Sequence, residues 1–167
     1  MRLLFLPREG LDLYQTLLDS ETSRRVLRFY HPRRSPFGVA VEVATLSSGL
    51  SLVSELRWYV RRYIADALFE VAPGRYATRA LASTVYFGRE FRLHEPWEAR
   101  HLLVERGGEV SRVDLAPGEE APIGGPGEVL EVWDVVPGEV PAGEMHLAAP
   151  EPSAGEGDGA AEGTGPS

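Results

Sequence analysis

The large apolar residues of this sequence stop at Leu147, although the chain continues to Ser167. Residues 148–167 consist of Ala, Gly, Pro, Ser, Thr and acidic residues. Such a segment cannot bury enough apolar surface to offset the conformational entropy that it would lose on ordering. We therefore expect a single globular domain over residues 1–147 and a disordered acidic tail over residues 148–167.

Short apolar runs bounded by Gly and Pro dominate the domain, and this pattern is typical of strands. It predicts strands over residues 2–6, 24–31, 37–46, 76–81, 84–93, 101–106, 109–115 and 128–136. We expect a β-rich α+β fold in which about seven or eight strands form an antiparallel sheet or a partly closed barrel. A jelly-roll-like β-barrel is the alternative.

Two helices are predicted among these strands. Leucines at helical spacing indicate a short N-terminal helix over about residues 9–19. A longer apolar stripe predicts one long helix over about residues 51–70, capped by Ser51 and ended by Pro73. The stripe consists of Val53, Leu56, Val60, Tyr63, Ile64, Ala67 and Leu68.

A β-hairpin is predicted around Gly107 and Gly108, because two glycines suit the positive φ angles of a type I′ turn. Its register would place Arg106 opposite Glu109, Leu102 opposite Val113, and His101 opposite Asp114. The alternative is a helix that begins at Pro96 and ends at Gly107.

The composition excludes several kinds of chemistry. The chain has no Cys, and all 17 of its basic Lys and Arg positions are Arg. Disulfides, thiolate nucleophiles and cysteine-ligated metals are therefore excluded, as are a Walker P-loop and a Schiff-base lysine. The scarcity of Asn, Gln, Cys and Met resembles the composition of hyperthermophile proteins.

The net charge of −8 is unevenly distributed. Residues 1–100 contain 15 Arg and 11 acidic residues, a net charge of +4, whereas residues 101–167 contain 2 Arg and 14 acidic residues, a net charge of −12. The two parts sum to −8. This asymmetry indicates a mildly basic body with an acidic tail.

An arginine cluster is the main candidate for binding anions or nucleic acid, because guanidinium groups match the geometry of phosphate oxygens. The sequence favours the other interpretation, a set of solvated arginines that pair with Glu21, Glu42 or the acidic tail, because an overall acidic protein repels nucleic acid at long range. The candidate residues are Arg24, Arg25, Arg28, Arg33, Arg34, Arg57, Arg61 and Arg62.

A candidate metal site combines His94, Glu98 and His101. On a helix, Glu98 and His101 would be neighbours that could bind zinc or relay a proton. On a strand they would face opposite ways, and the site would not form. The tryptophans Trp58, Trp97 and Trp133 are expected to anchor the core or an interface.

No familiar catalytic nucleophile or cofactor motif occurs in this sequence, so no catalytic residue and no cofactor are predicted. We expect a non-enzymatic structural or assembly protein, a self-associating β-rich module such as a virion or particle component, whose partner is a second copy of the chain or another protein subunit. The alternative is a regulatory protein that binds anions or nucleic acid through the arginine cluster and is autoinhibited by the acidic tail. A metal-dependent hydrolase is a third hypothesis. No signal peptide or membrane span is recognisable, which favours the cytoplasm or the inside of a particle.

Overall fold

The structure, a computed structural model, describes residues 1–88, 97–122 and 127–136. Within these residues the chain forms eight strands and five helices. The strands are β1 (Arg2–Pro7), β2 (Arg33–Ser35), β3 (Gly38–Glu42), β4 (Ile64–Ala72), β5 (Arg75–Ala77), β6 (Arg100–Arg106), β7 (Glu109–Leu115) and β8 (Glu128–Trp133). The helices are α1 (Leu13–Asp19), α2 (Glu21–Leu27), α3 (Leu46–Glu55), α4 (Arg57–Tyr63) and α5 (Arg79–Phe87).

The strands form one sheet in the order β2-β3-β1-β4-β5-β8-β6-β7. Neighbouring strands are antiparallel except for β5 and β8, which run parallel. The predicted α+β class, the strand number and the partial closure are thus confirmed, since the sheet curls into a half-barrel. The single sheet with a parallel pair differs from the two antiparallel sheets of a jelly roll.

The main core lies between one face of the sheet and the helices. Alternate residues of β1 point to opposite faces, so Leu3 and Phe5 face the helices while Leu4 does not. The helices contribute buried side chains to the same cluster, including Leu17, Leu27, Leu52, Leu56 and Tyr59. Burial of this core is the main source of the fold's stability.

A second apolar cluster fills the concave face of the sheet. Leu4 of β1 and Leu103 of β6 belong to it, although β4, β5 and β8 lie between their strands in the sheet. These two side chains can share a cluster because the sheet is strongly curled. The two ends of the half-barrel are its edge strands, β2 and β7.

The prediction of one long helix over residues 51–70 is wrong. The chain forms α3 and α4 with a break at Leu56, and Ile64–Ala72 is the strand β4. In β4 the residues Ala67, Leu68 and Phe69 are all buried, and successive ones face opposite sides of the sheet. β4 pairs with β1 on one side and β5 on the other, and a strand in the middle of a sheet needs apolar residues on both faces. These long-range contacts override the helical periodicity of the segment.

Two other predicted strands overlap helices instead. Residues 24–31 contain most of α2, in which Ser23 and Leu27 are buried one helical turn apart. Residues 84–93 overlap the end of α5, whose first turn is capped by the Thr78 side chain as it accepts a hydrogen bond from the Leu81 amide. The capping signal at Thr78 was available in the sequence and outweighs the β propensity of the residues that follow.

The predicted hairpin is confirmed in place and register. Gly107 and Gly108 both have positive φ, 62° and 89°. Arg106 lies opposite Glu109, and the pairing continues so that His101 lies opposite Asp114. The alternative helix ending at Gly107 is therefore wrong.

Three predictions lie wholly or partly outside the described residues: the acidic tail over residues 148–167, the part of the candidate metal site at His94, and residues 89–93 of the predicted strand over residues 84–93. In the part of the chain that the structure describes, no helix is long and apolar enough to cross a membrane.

Candidate functional site

The candidate arginines are distributed over two helices and an edge strand. Arg24 and Arg25 lie in the last turn of α2, and Arg28 follows at its C-terminal cap. Arg57, Arg61 and Arg62 lie on α4, while Arg33 and Arg34 lie on β2. All eight are exposed.

A hydroxyl contact joins the two arginine-bearing helices. Ser20, the residue that precedes α2, lies with its Oγ 2.5 Å from the Tyr59 hydroxyl of α4. The hydrogen bond with Ser20 lowers the pKa of Tyr59. Since Tyr59 is buried in the main core, this contact fixes the start of α2 against α4. The arginines of the two helices therefore belong to neighbouring elements.

Only two of the eight candidate arginines are paired with a carboxylate in the described part of the chain. The Arg25 guanidinium lies 3.2 Å from Glu21, and that of Arg34 lies 3.0 Å from Asp12. Glu42, the other predicted partner, lies 3.8 Å from Arg2 instead. No described carboxylate lies within 4 Å of the remaining arginines, which are Arg24, Arg28, Arg33, Arg57, Arg61 and Arg62.

Two exposed aromatic rings accompany the unpaired arginines. Phe29 is 76% exposed and Trp58 is 55% exposed. The Arg28 guanidinium carbon lies 5.7 Å from the centre of the Phe29 ring, and that of Arg62 lies 5.4 Å from the centre of the Trp58 ring. Both distances suit cation–π contact. We call the surface formed by these aromatic rings and the unpaired arginines of α2 and α4 the arginine surface: Arg24, Arg28, Phe29, Arg57, Trp58, Arg61 and Arg62.

The three tryptophans thus differ in role. Trp97 and Trp133 are buried and stacked, with ring centres 5.9 Å apart and planes 7° apart, so they anchor the core as predicted. Trp58 is not a core residue. Phe29 was not predicted from the sequence, although its position directly after Arg28 is a signal that could have identified it.

Arg34 lies outside the arginine surface and lines a cleft of about 870 Å³ at the open side of the half-barrel. The cleft lies between the end of β1, the turn before β3, and the hairpin residues Gly108–Val110. Arg34 lies over the Tyr14 ring at 4.6 Å and donates to both carboxylate oxygens of Asp12. Hydrogen bonding by the Gln15 amide and then by Arg34 lowers the pKa of Asp12.

The other arginine of the cleft is also engaged, because Arg8 donates to the backbone oxygen of Arg61 at 3.0 Å. The cleft therefore offers an anion less free positive charge than the arginine surface does.

The candidate metal site is not assembled in the described residues. Glu98 is exposed in a bend, whereas His101 lies on β6 and is only 6% exposed. Burial lowers the pKa of His101, and the nearby Arg112 lowers it further. Across residues 1–88, 97–122 and 127–136, no group of three or more His, Asp or Glu side chains is arranged to hold a metal ion.

A partly buried ionic network that was not predicted from the sequence lies beside the stacked tryptophans. The Glu131 carboxylate accepts hydrogen bonds from Arg100 at 3.1 Å and from the Trp133 indole at 2.8 Å. Despite partial burial, these donors and the charge of Arg75 lower the pKa of Glu131. The network fixes β5, β6 and β8 to one another, so its role is structural.

One comparison with known proteins identifies a family. A family model described as a family of unknown function, DUF5804, matches residues 1–95, which is 95 of the 167 residues. The matched range contains the whole arginine surface. No curated protein and no solved structure matches the chain.

Proposed function

This chain belongs to the DUF5804 family, whose function is unknown, and we propose that it binds single-stranded nucleic acid through the arginine surface. The observation that carries this proposal is a group of five arginines on neighbouring elements with no described carboxylate within 4 Å, two of which lie over exposed aromatic rings. Guanidinium groups bind phosphates along the strand. Exposed rings stack on bases.

The exposed rings favour a single strand over a duplex. The bases of a duplex are stacked on each other, whereas those of a single strand are free to stack on protein side chains. Trp58 and Phe29 offer such rings, and each carries an arginine over its face. The backbone and the bases of one strand would thus be recognised by the same surface.

The net charge of −8 opposes this binding at long range, so the local charge must dominate at contact. The tail, which carries four acidic residues and no arginine over residues 148–167, supplies part of the opposing charge. We propose that it competes with nucleic acid for the arginine surface. A chain that ends at Leu147 should then bind more tightly at low salt than the full chain, and equal affinities would contradict the competition.

The direct test is fluorescence anisotropy with a labelled single-stranded oligonucleotide of about 15 nucleotides at low salt. The double variant R61E/R62E should weaken binding by about tenfold or more, because two phosphate-binding charges are reversed. The control is R106E, compared with the single variant R61E, because each reverses one exposed arginine and Arg106 lies on β6, outside the arginine surface. Absence of binding by the wild-type chain, or an equal loss in the control, would contradict the proposal.

A second comparison separates stacking from charge. The variant W58A should weaken binding to the oligonucleotide roughly fivefold or more, since stacking on one base is worth about 1–3 kcal/mol. Binding to inorganic polyphosphate, which has no bases, should not change. Equal weakening for both ligands would show that Trp58 does not stack on bases.

Self-association as a structural or assembly protein is the second candidate function. It is favoured by β7, an edge strand that is exposed from Glu109 to Asp114 and includes the half-exposed Val110 and Val113. Open strand edges are templates for pairing with another chain. The test is the solution mass by size-exclusion chromatography with light scattering, at low and high salt. A dimer or larger closed assembly supports this function, and a monomer of 18.3 kDa at all concentrations contradicts it.

A further inference from the structure

We infer that two copies of this chain pair edge to edge through antiparallel β7 strands, with Arg112 opposite the partner's Asp114. This inference rests on the second candidate function, self-association, and specifies its interface. It is independent of the proposed nucleic-acid binding, which uses residues of α2 and α4.

The hairpin geometry determines which backbone groups of β7 are free. Arg106 and Glu109 close the two-residue turn as a hydrogen-bonded pair. Hydrogen-bonded and non-hydrogen-bonded pairs alternate along an antiparallel ladder. Residues 109, 111, 113 and 115 therefore direct their N–H and C=O groups toward β6. Val110, Arg112 and Asp114 direct theirs to the open edge.

A two-fold axis perpendicular to the sheet restricts the registers by which β7 can pair with its own copy. Each residue must face a partner residue on the same side of the sheet, and the hydrogen-bonded pairs must use the outward-directed residues. With Arg112 opposite the partner's Asp114, both conditions are met, and the two such pairs exchange four backbone hydrogen bonds. Val113 then faces the partner's Val113 in a non-hydrogen-bonded pair.

The charges of Arg112 and Asp114 favour this register over the neighbouring one. Shifting the pairing so that Arg112 faces its own copy would place two guanidinium groups directly opposite each other, which is destabilising. In the inferred register both cross-strand pairs join opposite charges. Each chain's Arg112 also lies 2.8 Å from its own Asp114, so four alternating charges would meet at the interface.

The cleft supports the same choice. Gly108–Val110, the turn-proximal part of the hairpin, faces the end of β1 and the turn before β3 across the cleft. The inferred register uses residues 111–115 and leaves this part unpaired. It also covers Val113, which is 47% exposed in the single chain.

Cysteine cross-linking tests the register, because the chain has no cysteine of its own. In the variant V113C the two introduced thiols would lie directly opposite each other, and mild oxidation should convert most of the chains to covalent dimers. The control V71C places a thiol at a valine of similar exposure, 45%, on β4. The control V110C places a thiol on β7 itself, at a position where the inferred register keeps the thiols of the two chains far apart. Both controls should remain mostly monomeric on non-reducing gels.

Charge reversal provides an independent measurement. The single variants R112D and D114R each create two like-charged pairs, and each should weaken dimerisation by about tenfold. The double variant R112D/D114R restores opposite charges and should recover the wild-type mass. Both side chains are exposed, at 57% and 75%, so loss of their own pair should leave folding intact, as circular dichroism would verify.

The outcomes separate this inference from the broader candidate function. A wild-type dimer whose V113C variant cross-links no more than V71C and V110C would overturn the register while self-association stands. A wild-type monomer at all concentrations would overturn both. Selective cross-linking of V113C with recovery in the double charge variant would support the interface.

Discussion

The arginines of α4 illustrate how a charged residue can oppose stability. Arg57 and Arg61 are one helical turn apart, and Arg62 follows on the same seven-residue helix. Like charges at this spacing destabilise a helix by about 0.2–0.5 kcal/mol per pair. Among the described residues no carboxylate within 4 Å relieves this repulsion. A bound phosphate chain would relieve it.

The first prediction follows from this repulsion. The variant R57Q should unfold at a slightly higher temperature than the wild-type chain at low ionic strength, because the like-charged pair with Arg61 and a positive charge at the N-terminal end of α4 are both removed. The difference should shrink as salt screens the charges. Thermal unfolding by circular dichroism at low and high salt measures both effects. A lower unfolding temperature at low salt would mean that Arg57 contributes net stabilising contacts.

The second prediction concerns pH and His101. Its pKa in the folded chain lies below the ordinary value of 6.5, chiefly because of burial. The unfolded chain therefore binds a proton at this residue at a higher pH than the folded chain does. Stability should fall as the pH drops through about 6.5 toward the folded pKa. Arg112 lowers this pKa as well, while Asp134 and Asp114 raise it by smaller amounts.

The variant H101Q isolates this contribution, since all other titrating groups are shared. Between pH 7.5 and 5.5 the free energy of unfolding of the wild-type chain should decrease more than that of H101Q, as measured by urea denaturation. Parallel pH profiles for the two chains would contradict the assignment to His101.

At the scale of elements, the sequence was sufficient to predict those features that a few adjacent residues determine. Gly107 and Gly108 supply the positive φ angles of a two-residue turn, and the turn alone determines the register of β6 and β7. The stripe over residues 51–70 failed because β4 is defined by its neighbours β1 and β5, which are distant in sequence. The sequence alone did not show that successive residues of β4 are buried on opposite faces, because that burial depends on β1 and β5.

The candidate site was predictable to a similar extent. Composition and spacing identified the arginines, but not which of them are neutralised. The Glu21–Arg25 pair forms because the two residues are one turn apart on α2, a segment that was predicted to be largely a strand. The Asp12–Arg34 pair joins residues 22 positions apart. The unpaired set could therefore be defined only from the structure.

The third prediction tests the turn. Gly107 has a φ of 62°, and a Cβ added there would meet no atom within 4 Å. Substitution should therefore cost only backbone strain. G107A should lower the free energy of unfolding by about 1–2 kcal/mol, and G107N should lower it less because Asn tolerates the left-handed conformation. Urea denaturation of the three chains measures this, and equal losses for Ala and Asn would contradict the turn assignment.

At the scale of the whole molecule, charge is separated between a basic body and an acidic C-terminal part. Residues 1–100 carry +4 and residues 101–167 carry −12. The arginine surface lies on α2 and α4, while the edge strand β7 lies at the end of the sheet. The two surfaces are on different elements. Nucleic-acid binding and self-association can therefore be tested separately by variants of each.

The fourth prediction is the salt dependence of oligonucleotide binding, which tests the central claim most directly. Each phosphate neutralised on a single strand contributes about −0.7 to the slope of log K against log salt. Five arginines on the arginine surface would give a slope of about −3 to −3.5 for the wild-type chain. R61E/R62E should show a clearly shallower slope. A wild-type affinity that does not change with salt, or an identical slope for the variant, would contradict binding through this surface.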